Sequence, residues 1–310
     1  MSASNRIYKV MPIPNPRIWG TDRLASLVHL PPSNVPYGEI FLVSSMEGAQ
    51  SVIDGREFDA FYQAHPEFFN LSRTNFPLRI NLIDTSSPLS IQVHPGSEVT
   101  QALGYPQGVH EFWFILDARP TSTIEVGHRF ENKKQMEDAM SNNGLRPYCV
   151  DVPAHRGQTY LLYPGTMHAI GSGLLVYELT YNLDLTYRLY DYDRIDPKTG
   201  KGRTLHLEEA MAAITFPQRV ISDEVVERKA NGIEETTLVD EPGVFTLKQW
   251  KVDGDVTLPI DAFYICTLVE GAGWIDETPL RQFETVFVPA TCKELRLIGE
   301  MTVFAASYRE

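Results

Sequence analysis

The chain has 310 residues, 43% of them apolar, and a formal net charge of −13; it is long enough for one large β domain or two ordinary ones. Without a Lys/Arg cluster, that acidity argues against a nucleic-acid partner. No window approaches the roughly 18–20 apolar residues of a bilayer span, and MSASNRIYKVMPIPNP lacks the apolar core of a signal peptide, so no membrane partner is expected. Cys149, Cys266 and Cys292 lie far apart with no CxxC pair, which suggests neither a zinc ribbon nor a disulfide framework and points to a reducing, cytoplasmic setting.

In chain order, EIFLVSS, FPLRINLI, EFWFIL, QTYLLYP and GLLVYELTY are short β-prone runs separated by scattered glycine and proline, the pattern of a sandwich or barrel. Between the first two, GREFDAFYQAHPEFF sets Phe58, Phe61 and Tyr62 at helical spacing, with Pro66 as the stop. PLSIQVHPG, residues 88–96, alternates. Ser90, Gln92 and His94 point to one face and Leu89, Ile91 and Val93 to the other. Pro95 fixes His94 at the strand end. NKKQMEDAMSNNG, stopped by Gly144, and LHLEEAMAAITFP, ending before Pro217, are expected to be short peripheral helices.

From about residue 218 to 240 the sequence turns polar, reading as a connection or peripheral hairpin. The expected division is residues 1–235, a unit with peripheral helices, and residues 236–310, a second all-β unit. FETVFVPA in the second unit echoes GQTYLLYPGTMH without the histidine. Two copies of one β-barrel plan are therefore expected, with polar chemistry only in the first.

That chemistry centres on three residues. Glu111 opens the otherwise apolar HEFWFIL, His168 follows the turn of YPGTMHAIG, and His94 ends its strand. Two neutral imidazoles and a carboxylate at strand ends suit a divalent metal with open positions, and Gln92 offers an amide oxygen. Spacing alone leaves a structural, hydrogen-bonded role for these side chains equally open. His110 adjoins Glu111 but points to the opposite face, while His29, His65, His128, His155 and His206 fall in loops or helix flanks. In YELTYNLDLTYRLYDYDR, Glu178, Thr180, Asn182 and Asp184 share one face if the chain stays extended, followed by Arg188 and Arg194.

RIWG, YGEIFLVSS, FPLRINLIDTSSPLSIQVHP, EFWFIL, YPGTMHAIGSG, TYRLYDYDR and GKGRTLHLEEA together resemble the type I mannose-6-phosphate isomerases (phosphomannose isomerases) of the cupin superfamily, in the short bacterial form. The resemblance implies two cupin, or jelly-roll, β-barrel domains, the first catalytic and the second metal-free. It implies one zinc per chain held by His94, Glu111 and His168, with Gln92 matching a fourth ligand of some members. Arg188 matches the catalytic arginine, Ser90 a phosphate contact and Arg194 a second basic residue of the cleft. The implied partner is a small sugar phosphate, the assembly a monomer or homodimer. Aldose–ketose conversion moves a proton between C1 and C2 through an enediol whose oxyanion needs fixed positive charge; Glu178 is the candidate base. The sequence departs from the resemblance at Val109, where a lysine is usual, at Thr180 and Leu183, usually glutamine and serine, and at Gly96 and Ser97, usually an acidic pair. The alternatives are a sugar-binding or regulatory cupin, an isomerase of another, unphosphorylated sugar, and an iron oxygenase using the same facial triad.

Overall fold

Leu78–Asp84 (LRINLID) is buried along its whole length, and its alternation sends two different faces into two different environments. Leu78, Ile80 and Leu82 join one apolar cluster, while Arg79 and Asn81, also buried, take the opposite face. In this computed structural model, which describes residues 6–141, 144–196, 200–216, 218, 226–230 and 233–310, that strand lies inside a six-stranded antiparallel sheet. The order is Thr159–Leu162, Glu111–Ala118, Leu174–Tyr181, Leu78–Asp84, Tyr37–Val43 and Ile13–Thr21.

A five-stranded sheet accompanies it, ordered Cys149–Pro153, Thr123–His128, His168–Ile170, Ile91–Val93 and Tyr187–Tyr190. Trp19, Ile83, Trp113, Ile115, Ile124, Ile170 and Val176, drawn from both sheets, pack into one cluster. The other face of the five-stranded sheet, with Ile91, Val93, Ala169 and Leu189, packs against Met136, Ala210 and Met211 of the helices Lys133–Ser141 and Leu207–Ala213. The other face of the six-stranded sheet meets a phenylalanine cluster, Phe58, Phe61, Phe69 and Phe76, together with Phe263, Phe287 and Phe304 from the C-terminal part. Each fully buried phenylalanine contributes about 1.5–3 kcal/mol, so this interface fixes the six-stranded sheet from behind.

The third, ten-stranded sheet is built mainly from the C-terminal strands and also includes Tyr8–Met11, Val52–Ile53 and Arg56–Glu57. Trp250, Cys266, Leu268, Ile275, Leu297 and Val303 form a separate apolar cluster within it. The mainly β architecture with short helices is as the sequence suggests. The three expected helices form, the first as Phe58–Ala64. Pro66 ends that helix and also starts another, Pro66–Phe69, as its first residue. Arg23–Leu27 and Ser97–Ala102 are too short to show periodicity in sequence. Val226–Ala230 pairs antiparallel with Ile233–Glu241; residues 219–225 and 231–232 of the polar stretch lie outside the described residues. Leu174–Tyr181 stops short of Asp184, so the extended pattern read through Asp184 is broken there.

Gly171 follows the strand carrying His168, and a Cβ there would sit 2.0 Å from the Thr123 carbonyl oxygen, which accepts the Gly171 N–H at 3.1 Å. Gly171→Ala is expected to cost about 1–3 kcal/mol and to loosen the His168 strand. Thermal unfolding checks this; an unchanged Tm would contradict the close approach.

Candidate metal centre and substrate cleft

Cross-strand register assembles the site. On the five-stranded sheet His168 lies opposite Gln92, and Gln92 opposite Arg188. On the six-stranded sheet Glu111 lies opposite Thr180 and Thr180 opposite Arg79, while the neighbouring row is Trp113, Glu178 and Asn81. Directly opposed residues share a face, so each sheet presents a polar row to the same cleft. His94 comes from just beyond Ile91–Val93, where Pro95 holds it and its carbonyl accepts the Gly165 N–H at 2.8 Å.

His94, Glu111 and His168 are 5%, 3% and 1% exposed, and their ligand atoms all lie within 4.8 Å of one another. The His94 Nδ1–H donates to the Leu185 carbonyl at 2.8 Å and the His168 Nδ1–H to the Thr166 carbonyl at 2.9 Å. A carbonyl only accepts, so each Nδ1 carries a hydrogen and Nε2 is the nitrogen each ring turns inward. His94 Nε2 is 2.9 Å from Glu111 Oε1, and His168 Nε2 is 3.5 Å from Glu111 Oε2. His94 Nε2 and Glu111 Oε2 nevertheless have no hydrogen-bond partner. Burial lowers the His94 pKa, but the Glu111 carboxylate beside Nε2 raises it overall, so the metal-free site draws a proton to this position, the place a cation would take. The donor set therefore fits a divalent metal, with backbone carbonyls fixing both rings. Among the described residues no other His/Cys/Asp/Glu group converges in this way.

Burial pushes His168 down to about 4, which keeps it neutral and ligating at physiological pH. Burial also pushes Glu111 up, but the pull of His94, with His168 and Arg79 nearby, outweighs it and holds the carboxyl down at about 2. Glu178 goes the other way. Burial, reinforced by the Glu111 charge, lifts it to about 8. Its two oxygens accept from Asn81 Nδ2 at 2.5 Å and Trp113 Nε1 at 3.1 Å, so the carboxyl is held in one orientation.

Ser90, Gln92, Glu178, Asp184 and Arg188 line the cleft with Glu111 and His168. The Gln92 oxygen accepts from Ser90 at 3.0 Å, and its amide nitrogen faces His168 Nε2 at 3.4 Å; as a fourth ligand the amide would be turned over. Thr180 and Asn182 are engaged elsewhere, donating to the His110 carbonyl and to Ser45 Oγ. Val109 is 1% exposed, an apolar residue two before Glu111.

Arg194 stands outside the cleft lining: its guanidinium is bound to Asp191 and to the Pro88 carbonyl. Arg203 lines the cleft instead, with Nε and Nη2 on the Asp191 carboxylate at 2.8 and 2.5 Å. Sequence reasoning also passed over Arg17, Arg79, Asn81 and Trp113. A signal was present in LRINLID, whose Arg79 and Asn81 interrupt an apolar strand on one face. His206, set aside as a helix flank, accepts the Arg188 N–H on Nδ1 at 3.2 Å and donates its own N–H to the Arg188 carbonyl at 2.8 Å, so it positions the Arg188 strand.

No family model matches the chain. It is 28% identical over 305 residues to "Mannose-6-phosphate isomerase" of Streptococcus mutans, covering 95% of this chain and 96% of that one. It is 30% identical over 274 residues to "Probable mannose-6-phosphate isomerase GmuF" of Bacillus subtilis, covering 85% and 86%. Among solved structures, the mannose 6-phosphate isomerase from Bacillus subtilis superposes with a TM-score of 0.92 at 27% identity, over 97% of this chain and 99% of that one. Phosphomannose isomerase from Salmonella typhimurium, solved as a lysine-to-alanine mutant, shares the fold at a TM-score of 0.77 and 14% identity, over 98% of this chain and 100% of that one.

The raised Glu178 value carries a sign for stability. Between its ordinary 4.5 and about 8 the folded chain holds a proton the unfolded chain has lost, so stability falls as pH rises through that window. Glu178→Gln is expected to remove this part of the slope in metal-free protein. Thermal unfolding in chelator across that range checks it; identical slopes in both proteins would contradict it.

Proposed function

This chain belongs to the mannose-6-phosphate isomerase family, and from that premise we propose that it interconverts mannose 6-phosphate and fructose 6-phosphate using a zinc ion held by His94, Glu111 and His168. The observation that carries this reading is the convergence of those three buried side chains, with His94 Nε2 and Glu111 Oε2 lacking a hydrogen-bond partner, beside a second carboxyl and several arginines. Imidazole and carboxylate donors suit zinc. A divalent ion bound there supplies Lewis-acid polarisation of the sugar oxygens at the reacting carbons.

The remaining chemistry falls to the chain. Glu178, held between the Asn81 and Trp113 donors, takes the proton from one reacting carbon and returns it to the other. A carboxyl lifted toward neutrality can do both near physiological pH. Arg17, Arg79, Arg188 and Arg203 line the cleft with Glu39, Glu111, Glu178 and Asp184. With Glu178 lifted toward neutrality, a bound divalent cation would leave the cleft net positive, which suits a phosphate monoester dianion inside an otherwise acidic protein. Arg188 and Arg203, with the Ser90 hydroxyl, are assigned to that phosphate. In this reading residues 1–235 carry the chemistry and residues 236–310 form a metal-free unit supporting the back of the six-stranded sheet.

Val109 favours a second reading, in which the same cleft binds a sugar phosphate without turning it over. One experiment separates the two. Zinc-loaded protein is assayed for both directions of the isomerisation beside Glu178→Gln and His94→Ala. The expected result is turnover by the native chain, with kcat about 10²–10⁴-fold lower in Glu178→Gln and KM little changed. Metal-loaded native protein that binds the sugar phosphate but shows no more turnover than His94→Ala would overturn the isomerase reading in favour of the second.

A further inference from the structure

Arg79 lines the cleft apart from the metal donors, the base and the phosphate contacts. It is 7% exposed, yet its Nε has no hydrogen-bond partner. Nη1 meets only the Met46 sulfur at 3.1 Å, and the guanidinium lies 5.6 Å from the Phe41 ring centroid. Among the described residues no carboxylate forms an ion pair with it. Arg17, by contrast, is paired with Glu39 at 2.8 Å, and Arg203 with Asp191. The Glu111 and Glu178 carboxyls act on it through space but neither pairs with it; a guanidinium does not lose its proton, and burying one without a directly bonded anionic oxygen is unfavourable. A soft sulfur and an aromatic face do not compensate for that. The arrangement is incomplete without an anionic oxygen from outside the chain.

Register indicates which oxygen. Arg79 is two strands from Glu111 in one row. With strands about 4.8 Å apart, the two backbones stand roughly 10 Å from each other, and both side chains line the same cleft. Asn81, two residues along the Arg79 strand on the same face, is opposite Glu178, so Arg79 is diagonal to the carboxyl that moves the proton. Arg188 and Ser90, assigned to the phosphate, come from in and beside the five-stranded sheet instead. Arg79 therefore shares its sheet face with the metal carboxylate and the base, at the reacting end of a bound sugar.

We propose that Arg79 is a substrate-contacting, specificity-determining residue that binds the anionic oxygen at C1–C2 of the sugar, from the strand next to the one bearing Glu178. The assignment rests on the isomerase reading for the identity of the sugar; the unpartnered guanidinium itself is independent of it. An arginine serving only the fold would stabilise the protein, whereas one awaiting a ligand is a burden to the ligand-free chain.

Binding to the zinc-loaded protein is measured by calorimetry with mannonic acid 6-phosphate, which carries a carboxylate at C1, and mannitol 6-phosphate, which carries a neutral hydroxyl there. The native chain is expected to prefer the aldonate. Arg79→Met is expected to lower that preference roughly 10- to 100-fold with the affinity for mannitol 6-phosphate little changed and Tm equal or higher, and Arg79→Lys to restore part of the preference. An unchanged preference in Arg79→Met, equal weakening toward both ligands, or a large fall in Tm would overturn the assignment. Because both arms measure binding, a native chain that shows the preference and loses it in Arg79→Met supports Arg79 even where isomerisation is absent, and that absence counts against the isomerase reading alone. A native chain that binds neither ligand would overturn both.

Discussion

Two histidines have given their Nδ1 hydrogens to backbone carbonyls, and the rest of the site follows from that constraint. With Leu185 and Thr166 accepting those hydrogens, the two Nε2 atoms face a carboxylate held ionised in a buried space. Among the described residues they are met only by each other, by Glu111 and by the Gln92 amide, and Glu111 Oε2 has no hydrogen-bond partner. A cation would serve all three side chains at once, and the backbone that supplies the two carbonyls is positioned by the turn before His168 and by the segment leaving Leu174–Tyr181. The metal site is therefore encoded as much in loop backbone as in ligand side chains.

The same strands divide two carboxyls into different roles. Glu111 and Glu178 lie on neighbouring strands and one cleft, yet His94 and His168 hold the first ionised while burial and the first carboxylate push the second toward neutrality. Separating two acids by environment is how one fold provides a permanent anion and a proton carrier together. The sheet bearing both is apolar on its other face and packed against phenylalanines and the C-terminal strands. The C-terminal strands thus back the sheet from which both polar rows project.

Much of this was legible in the sequence, for identifiable reasons. Alternation in PLSIQVHPG and the apolar surroundings of Glu111 mark residues whose polarity is out of place, and such anomalies survive without any knowledge of the fold. Of the three expected helices, the first shows a period in Phe58, Phe61 and Tyr62, and the other two are marked by their stops at Gly144 and before Pro217. Arg203 was not legible, because its place in the cleft depends on Asp191, a contact made through a loop. Arg194, nearer in sequence to Arg188, turns to the same aspartate and away from the cleft. His206 acts through backbone hydrogen bonds that composition does not reveal. Arg79 and Asn81 were visible as interruptions of a strand, but their meaning required the cross-strand register that sets them beside Thr180 and Glu178.

If a metal ion and a sugar phosphate meet between these two polar rows, anomalous diffraction at the zinc edge, from crystals grown with zinc and fructose 6-phosphate, will show a peak enclosed by His94, Glu111 and His168, with phosphate density against Arg188 and Arg203. Zinc located elsewhere, or a sugar phosphate bound away from this cleft while the three donors remain bare, would contradict that placement.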